Sequence, residues 1–246
     1  MISDFKAFSI PHLIGLITPI FIGGLFVFVG LNVSDEKRRK LNVLLAFLLI
    51  AIRGSRYVMD VFYNRFEIFD LFSLHICHID LILLIICLIK PSKTLFHFVF
   101  LIGIPMGLAV ALMPGSEHPA PGLPRAIMFI MSHTMLVVGA LYLAVVEKID
   151  LKLKYVLSIL GIANLLIFPL YLLNKQLNTN FLYLVQAPPG TVIEKLAVIF
   201  GWPGYVLAMD IIAMCIILLL YFVHKMIFQL SRRKGRRIQL TNAGMI

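Results

Sequence analysis

The sequence is poor in charge: 14% of its 246 residues are charged, whereas 61% are hydrophobic. A soluble globular domain carries about 25% charged residues, so this composition excludes an ordinary soluble protein. Apolar runs take the place of charge, and a helix needs about 20 consecutive apolar residues to cross a bilayer. We therefore expect an all-α fold, a polytopic membrane helix bundle.

Cysteine is scarce as well. The three cysteines, Cys77, Cys87 and Cys215, lie in apolar segments without CxxC spacing, which excludes a disulfide framework and a cysteine zinc site. His75, His78 and Asp80 carry metal-ligand chemistry, but two histidines three residues apart define no site without a second motif. We expect neither a metal nor another cofactor.

Acidic residues are few: 12, against 22 Lys and Arg, which gives a net charge of +10. The basic residues concentrate at 37–40 and 232–237, each beside a predicted span. Basic clusters in such places set membrane topology and contact anionic lipid headgroups. We therefore expect lipid partners and no nucleic acid.

Seven apolar segments are each near the length that crosses a bilayer. They run over about 8–31, 41–60, 69–89, 95–112, 127–146, 155–173 and 205–228. With the N-terminus outside and the C-terminus inside, the inner segments hold 15 of the 22 basic residues, as the positive-inside rule favours. The prediction is one transmembrane domain over 1–228, with a structured outer loop at 174–204, and a basic cytoplasmic tail over 229–246.

Polar residues converge on the outer half of these spans. Their predicted depths are roughly 6–11 Å below the outer span ends, at 1.5 Å per residue. Ionisable groups inside a membrane usually face a bundle interior or a cavity and mark a working site. The residues of this layer are His12, Arg53, Arg56, Cys77, His133 and Asp210. We interpret His97, His118 and His224, which lie outside it, as surface or interfacial histidines.

Helical phase refines this layer around Cys77. Asp80 lies about 60° from Cys77 on a regular helix, whereas His75 lies about 160° away. A base for Cys77 must therefore come from another helix, with His133 best placed by depth and His12 second.

The chemistry that these residue types offer is thioester formation. A thiol among apolar groups is inert unless a base or a positive charge activates it, and a neighbouring histidine is the common solution. The planar guanidinium of Arg53 or Arg56 suits a phosphate headgroup. Asp210 equally suits a structural bridge to an arginine, and Arg56 with Asp60, four residues apart, suits a local ion pair.

Several short motifs resemble those of the YwaF-like integral membrane proteins of bacteria. They are the His-x-Cys motif at His75–Cys77, His12, Ser132-His133, and Asn180–Tyr183 leading to Gly201-Trp202-Pro203. That family is similar to an animal transmembrane acyltransferase that moves acyl chains onto lysophospholipids with a cysteine. The resemblance implies a multi-pass protein of the bacterial plasma membrane, with Cys77 as the acyl-accepting nucleophile and His133 as its base. Asn180 and Tyr183 then join His75 and Asp80 as supporting residues.

Two function classes compete with this expectation of a phospholipid acyltransferase. Intramembrane histidine and aspartate also suit a proton-coupled transporter or a small-solute binding protein. A structural or signalling bundle without catalysis is the third hypothesis.

Overall fold

The structure of the chain, a computed structural model, describes residues 7–64, 76–112 and 123–242, with side-chain surroundings up to residue 229. Regular structure within these ranges is entirely helical. Eight α-helices, one π-helical segment and one 3₁₀ turn follow in chain order: α1 (Ile10–Asn32), α2 (Asp35–Phe62), α3 (Ile76–Ile89), α4 (Lys93–Phe98), the π segment (Val99–Gly103), α5 (Ile104–Leu112), α6 (Leu123–Val146), α7 (Leu153–Leu177), the 3₁₀ turn (Phe181–Tyr183) and α8 (Val192–Asn242).

The predicted polytopic bundle is confirmed. Among the described residues, six helical stretches are long and apolar enough to cross a membrane, and α3 is a shorter apolar helix of 14 residues. The predicted fourth span is present, because α4, the π segment and α5 form one helical stretch over Lys93–Leu112. The start of the predicted third span, 69–75, lies outside the described residues.

Contacts between helix ends show that α2 and α6 run in opposite directions. Asp60 near the end of α2 pairs with Arg125 near the start of α6. Asn42 near the start of α2 donates to Glu147, just beyond the end of α6, at 3.0 Å. We call the end of the bundle where α1 begins, which the charge rule predicts to be extracellular, the outer end.

Small residues let α1 pack closely on α6. Gly15, Gly23 and Gly30 are the buried glycines of α1 and recur every seven or eight residues, which places them on one face. A Cβ at Gly15 would lie 2.8 Å from Ile130 of α6, and one at Gly23 would collide with Val138. Glycine is therefore what allows these backbones to approach, as membrane helix interfaces commonly require.

The helices differ widely in burial. In their most apolar stretches, 67% of α6 is buried, against 11% of α7 and 6% of α8. Thus α6 forms the centre of the bundle, whereas α7 and α8 lie at its periphery. Helical geometry in α8 is interrupted at Gly201, whose φ of 61° suits glycine, and at Trp202. This break separates a short outer helix, 192–200, from the predicted last span.

Candidate functional site

Cys77 is the second residue of α3 and is partly buried. Asp80 lies one turn further along α3, and Arg53 of α2 contacts His78, the residue that follows Cys77. The predicted partner residue His75 lies outside the described residues. The thiol therefore has one acidic and one basic neighbour inside the apolar bundle.

Arg53 is held on the α3 side of α2 by two side chains. Its Nη2 lies 2.7 Å from His78 Nε2 and donates to the Tyr57 hydroxyl at 3.0 Å. Because a guanidinium can only donate, His78 Nε2 must be the acceptor. The guanidinium also lies 4.9 Å from the centre of the Tyr57 ring. These contacts keep a fixed positive charge beside the residue that follows Cys77.

His133 lies on α6 and is 5% exposed. Its Nδ1 lies 2.8 Å from the carbonyl oxygen of Phe129, and its ring packs on the Phe129 ring at 4.5 Å between centroids. A carbonyl can only accept, so Nδ1 carries the ring hydrogen and Nε2 carries the lone pair in the neutral imidazole. Ser132 Oγ lies 3.4 Å from the same Nδ1. This arrangement fixes the tautomer that a general base requires.

The packing of α3 against α6 sets the register between them. A Cβ at Gly139 of α6 would lie 2.7 Å from Leu84 of α3. One turn nearer the outer end, Asp80 of α3 and Leu136 of α6 both pack against Gly103 of the π segment. Each α3 residue is therefore level with the α6 residue 55 or 56 positions later.

One helical turn further toward the outer end, the α3 residue in this register is Cys77. The residues of α6 at that level are Ser132 and His133, because α3 and α6 run in the same direction. The predicted nucleophile and the predicted base thus lie at one depth, on helices that contact each other.

His12 joins two helices at the outer end. Its side chain is fully buried, with Nε2 2.7 Å from the carbonyl oxygen of Ala111 at the end of α5. Its Nδ1 accepts from the backbone N–H of Phe8 at 2.8 Å, so Nε2 carries the hydrogen and donates. Both ring nitrogens are therefore occupied by backbone groups, which fits a supporting role.

Arg56, Asp60 and Arg125 form an ion cluster at the outer end. Asp60 is fully buried, in contact with Arg125 Nε and 3.7 Å from Arg56 Nε. The Arg56 guanidinium also lies 5.3 Å from the centre of the Phe129 ring, on which His133 packs. The sequence indicated the local pair of Arg56 and Asp60 but missed Arg125. Its position directly before a predicted span was the available signal.

Asp80 of α3 has a buried carboxyl group. Its side chain is fully buried, and neither carboxyl oxygen has a hydrogen-bond partner among the residues that the structure describes. A Cβ at Gly103 would collide with Asp80 Oδ2, so glycine is required at that position. The carboxyl group therefore points from α3 toward the end of the π segment.

Asp210 lies on peripheral α8 and is partly exposed. Its Oδ1 accepts from Asn164 Nδ2 of α7 at 3.3 Å. The sequence left open a bridge from Asp210 to an arginine; the contact seen in the described structure is to an amide instead. This pair joins α7 to α8 within the predicted membrane.

Asn180 and Tyr183 build the outer loop between α7 and α8. Asn180 Oδ1 accepts from the N–H groups of Val185 and Gln186, both at 3.2 Å, and its Nδ2 donates to the Gln186 carbonyl. The Tyr183 carbonyl accepts from the hydroxyl of Tyr205 on α8 at 2.7 Å. These contacts give the loop a defined conformation, so both residues act on its shape.

His97 and His224 correct one expectation, because both are buried rather than interfacial. His97 is 1% exposed, and its Nε2 accepts from the backbone N–H of Lys152, just before α7, at 2.8 Å. His224 is 9% exposed and packs on Phe100 at 5.1 Å between ring centroids. Both belong to the packing of α4, α7 and α8 at the inner end. His118 lies outside the described residues.

The described residues contain no group of three His, Cys, Asp or Glu side chains that could hold a metal ion.

Comparison with known proteins gives one match. The family model of the TMEM164 family matches residues 7–221, which include every candidate residue discussed above. No curated protein matches the chain. No solved structure matches it either.

Proposed function

The chain belongs to the TMEM164 family of transmembrane proteins, and on that premise we propose that it is a membrane-embedded acyltransferase of the bacterial plasma membrane. In the proposed reaction, a fatty acyl chain moves from a phospholipid to a lysophospholipid through a thioester on Cys77. The resemblance of its motifs to the YwaF-like proteins supports the same reaction. The observation that carries the proposal is the common level of Cys77 and His133 on contacting helices.

His133 is suited to be the base because its tautomer is fixed. The Phe129 carbonyl accepts from Nδ1, so Nε2 is the ring nitrogen that bears the lone pair in the neutral imidazole. A histidine oriented in this way activates a thiol by accepting its hydrogen. Arg53, which contacts the residue that follows Cys77, is a cation near the thiolate that results.

The arginines at the outer end suit the headgroup of the lipid. Arg56 and Arg125 both lie against one carboxylate, Asp60, at the outer end. A phosphate diester carries the complementary negative charge, and guanidinium groups bind phosphate oxygens through paired N–H groups. A phospholipid whose phosphate lies at this cluster has its ester groups slightly deeper, toward the level of Cys77.

The first half of the reaction forms the thioester. The Cys77 thiol gives its proton to His133 Nε2, and the sulfur attacks the ester carbonyl carbon of the phospholipid. The carbon–oxygen bond to glycerol then breaks, and the glycerol oxygen takes the proton from His133. The products are the acyl-Cys77 thioester and a lysophospholipid.

The second half is the reverse reaction with a different acceptor. The hydroxyl of a second lysophospholipid gives its proton to His133 and attacks the thioester carbonyl. The carbon–sulfur bond breaks, and the Cys77 sulfur recovers the proton. No oxidant, reductant or cofactor is required.

Intact mass after incubation with phospholipid tests the proposal. We expect one acyl adduct that hydroxylamine removes, because hydroxylamine cleaves thioesters. Cys77→Ala should abolish the adduct, whereas the control Cys215→Ala, at an exposed cysteine of α8, should retain it. Equal acyl exchange between labelled lipids by wild type and Cys77→Ala would overturn the proposal.

One observation favours the transporter as the second candidate function. Asp210 and Asn164 form a polar pair in the predicted membrane, a placement that proton relays use. Reconstituted vesicles separate the two candidates. Solute or proton flux that survives Cys77→Ser and fails with Asp210→Asn would favour the transporter.

A further inference from the structure

Asp80 has a carboxyl group that the reaction described above does not use. It is fully buried, and its oxygens have no hydrogen-bond partner within the described part of the chain. Polar groups buried in this way are rare, because each costs about 1–3 kcal/mol when left unsatisfied. An unpaired buried polar group in a native structure therefore needs an explanation.

The surroundings of Asp80 favour the uncharged acid. Its Oδ2 lies against Gly103 of the π segment, where Leu136 of α6 also packs, and neither of these residues carries a charge. A carboxylate buried without a partner costs several kcal/mol, and a neutral carboxylic acid avoids most of this cost. In that form the group holds an O–H bond and can donate one hydrogen bond.

The charges around Cys77 also favour the neutral form of Asp80. When the thiol becomes a thiolate, a second negative charge one turn away would oppose it. Arg53, held against His78, supplies a single positive charge near the thiol. Asp80 is therefore compatible with thioester formation as a neutral acid and unfavourable as a carboxylate.

We propose that Asp80 is a further catalytic residue, a neutral acid that donates a hydrogen bond to the carbonyl oxygen of the lipid ester under attack by Cys77. This inference rests on the proposed acyl transfer. As the carbon–sulfur bond forms, the carbonyl electron pair moves onto oxygen, and the Asp80 O–H stabilises the negative charge. When the carbonyl re-forms, the pair returns and Asp80 keeps its proton throughout.

The spacing on α3 suits this role. Residues three apart on a helix lie on neighbouring positions of one face, with Cβ atoms about 5–6 Å apart. A carbonyl carbon bonded to the Cys77 sulfur would lie between the two side chains. The position of Asp80, about 4.5 Å deeper along the helix, places the donor on the hydrocarbon side of the reacting ester.

Two substitutions at Asp80 separate hydrogen-bond donation from other roles. Asp80→Asn keeps the size and supplies N–H donors, whereas Asp80→Leu removes all polar atoms. We expect Asp80→Asn to form the Cys77 acyl adduct within about tenfold of the wild-type rate. Asp80→Leu should slow it on the order of 100-fold, the typical loss for one oxyanion donor. Its melting temperature should not fall, since an unsatisfied polar group has been removed.

Each other outcome contradicts the inference in its own way. Equal slowing in Asp80→Asn and Asp80→Leu would mean that the ionised carboxylate matters and would overturn donation. A wild-type rate in Asp80→Leu would overturn the assignment and leave acyl transfer standing. Wild-type protein that forms no Cys77 adduct would overturn both proposals at once.

Gly103 provides an independent variant on a different helix. A methyl group there would occupy the space of the Asp80 carboxyl, so Gly103→Ala should displace the donor and slow adduct formation at least about tenfold. Gly24→Ala is the matched control, because a Cβ at Gly24 meets nothing within 4 Å. Equal rates in the two glycine variants, with Gly103→Ala folded, would contradict the proposed position of Asp80.

Discussion

Arg125 at the start of α6 forms a buried ion pair with Asp60 at the end of α2, although 65 residues separate them. Arg56 lies 3.7 Å from the other oxygen of the same carboxylate. Both guanidinium groups are nearly buried, so the carboxylate is what compensates two cations in an apolar setting. The outer ends of α2 and α6 are therefore joined by charge rather than by apolar packing alone.

The shared carboxylate predicts unequal costs for its partners. Asp60→Ala removes the carboxylate that two nearly buried guanidinium groups share and should destabilise the protein by about 3–5 kcal/mol, the usual cost of breaking a buried pair. Arg125→Ala should cost less, because Arg56 still compensates the carboxylate. Thermal unfolding in detergent measures the loss of stability in both variants.

The control is Lys40→Ala, which breaks an exposed pair with Glu36 and should change stability by less than about 0.5 kcal/mol. A larger loss in Arg125→Ala than in Asp60→Ala would contradict the shared-carboxylate arrangement.

Alanine substitutions of His12 and of His133 should have different effects on stability and on acyl-adduct formation. His12→Ala removes a buried hydrogen bond between α1 and α5, so we expect a loss of about 2 kcal/mol in stability. Acyl-adduct formation should persist. His133→Ala should abolish the adduct because it removes the proposed base. Intact mass and thermal unfolding on both variants check this, and the reverse pattern would make His12 the base.

Adjacent glycines of α1 should respond oppositely to alanine. Gly23→Ala introduces a Cβ that collides with Val138 of α6, and overpacking of this kind costs about 1–3 kcal/mol. Gly24→Ala places the same methyl in open space and should be neutral or stabilising by up to about 1 kcal/mol, from helix propensity. Unfolding midpoints of the two variants test the close approach of α1 and α6. Similar midpoints would mean that these helices do not pack as described.

The helices could be predicted from the sequence because a bilayer leaves the backbone little choice. Each N–H and C=O must be paired within the segment, so a long apolar run that enters the membrane becomes a helix. The predicted fourth span is helical as well, although its middle is the π segment. Its deviation from α-helical geometry involves the glycine at 103, which hydropathy does not distinguish from other apolar positions.

The candidate site was predicted less completely. Depth alone brought Cys77 and His133 to one layer, and the register of α3 on α6 agrees with that expectation. Depth could not indicate the contacts around each residue. His97 and His224 were assigned to an interface because they lie near span ends, yet tight packing of α4, α7 and α8 buries both.

The amino-acid sequence by itself indicated a polytopic helical bundle and the approximate positions of its helices, and it predicted a depth for each polar residue. These properties follow from local hydropathy and a fixed rise of 1.5 Å per residue. The tertiary structure alone decided which helix faces meet, and hence that Arg125 pairs with Asp60 and that Asp80 lies against Gly103. The rotation of each helix about its axis depends on side-chain packing between segments distant in sequence, which no local pattern contains.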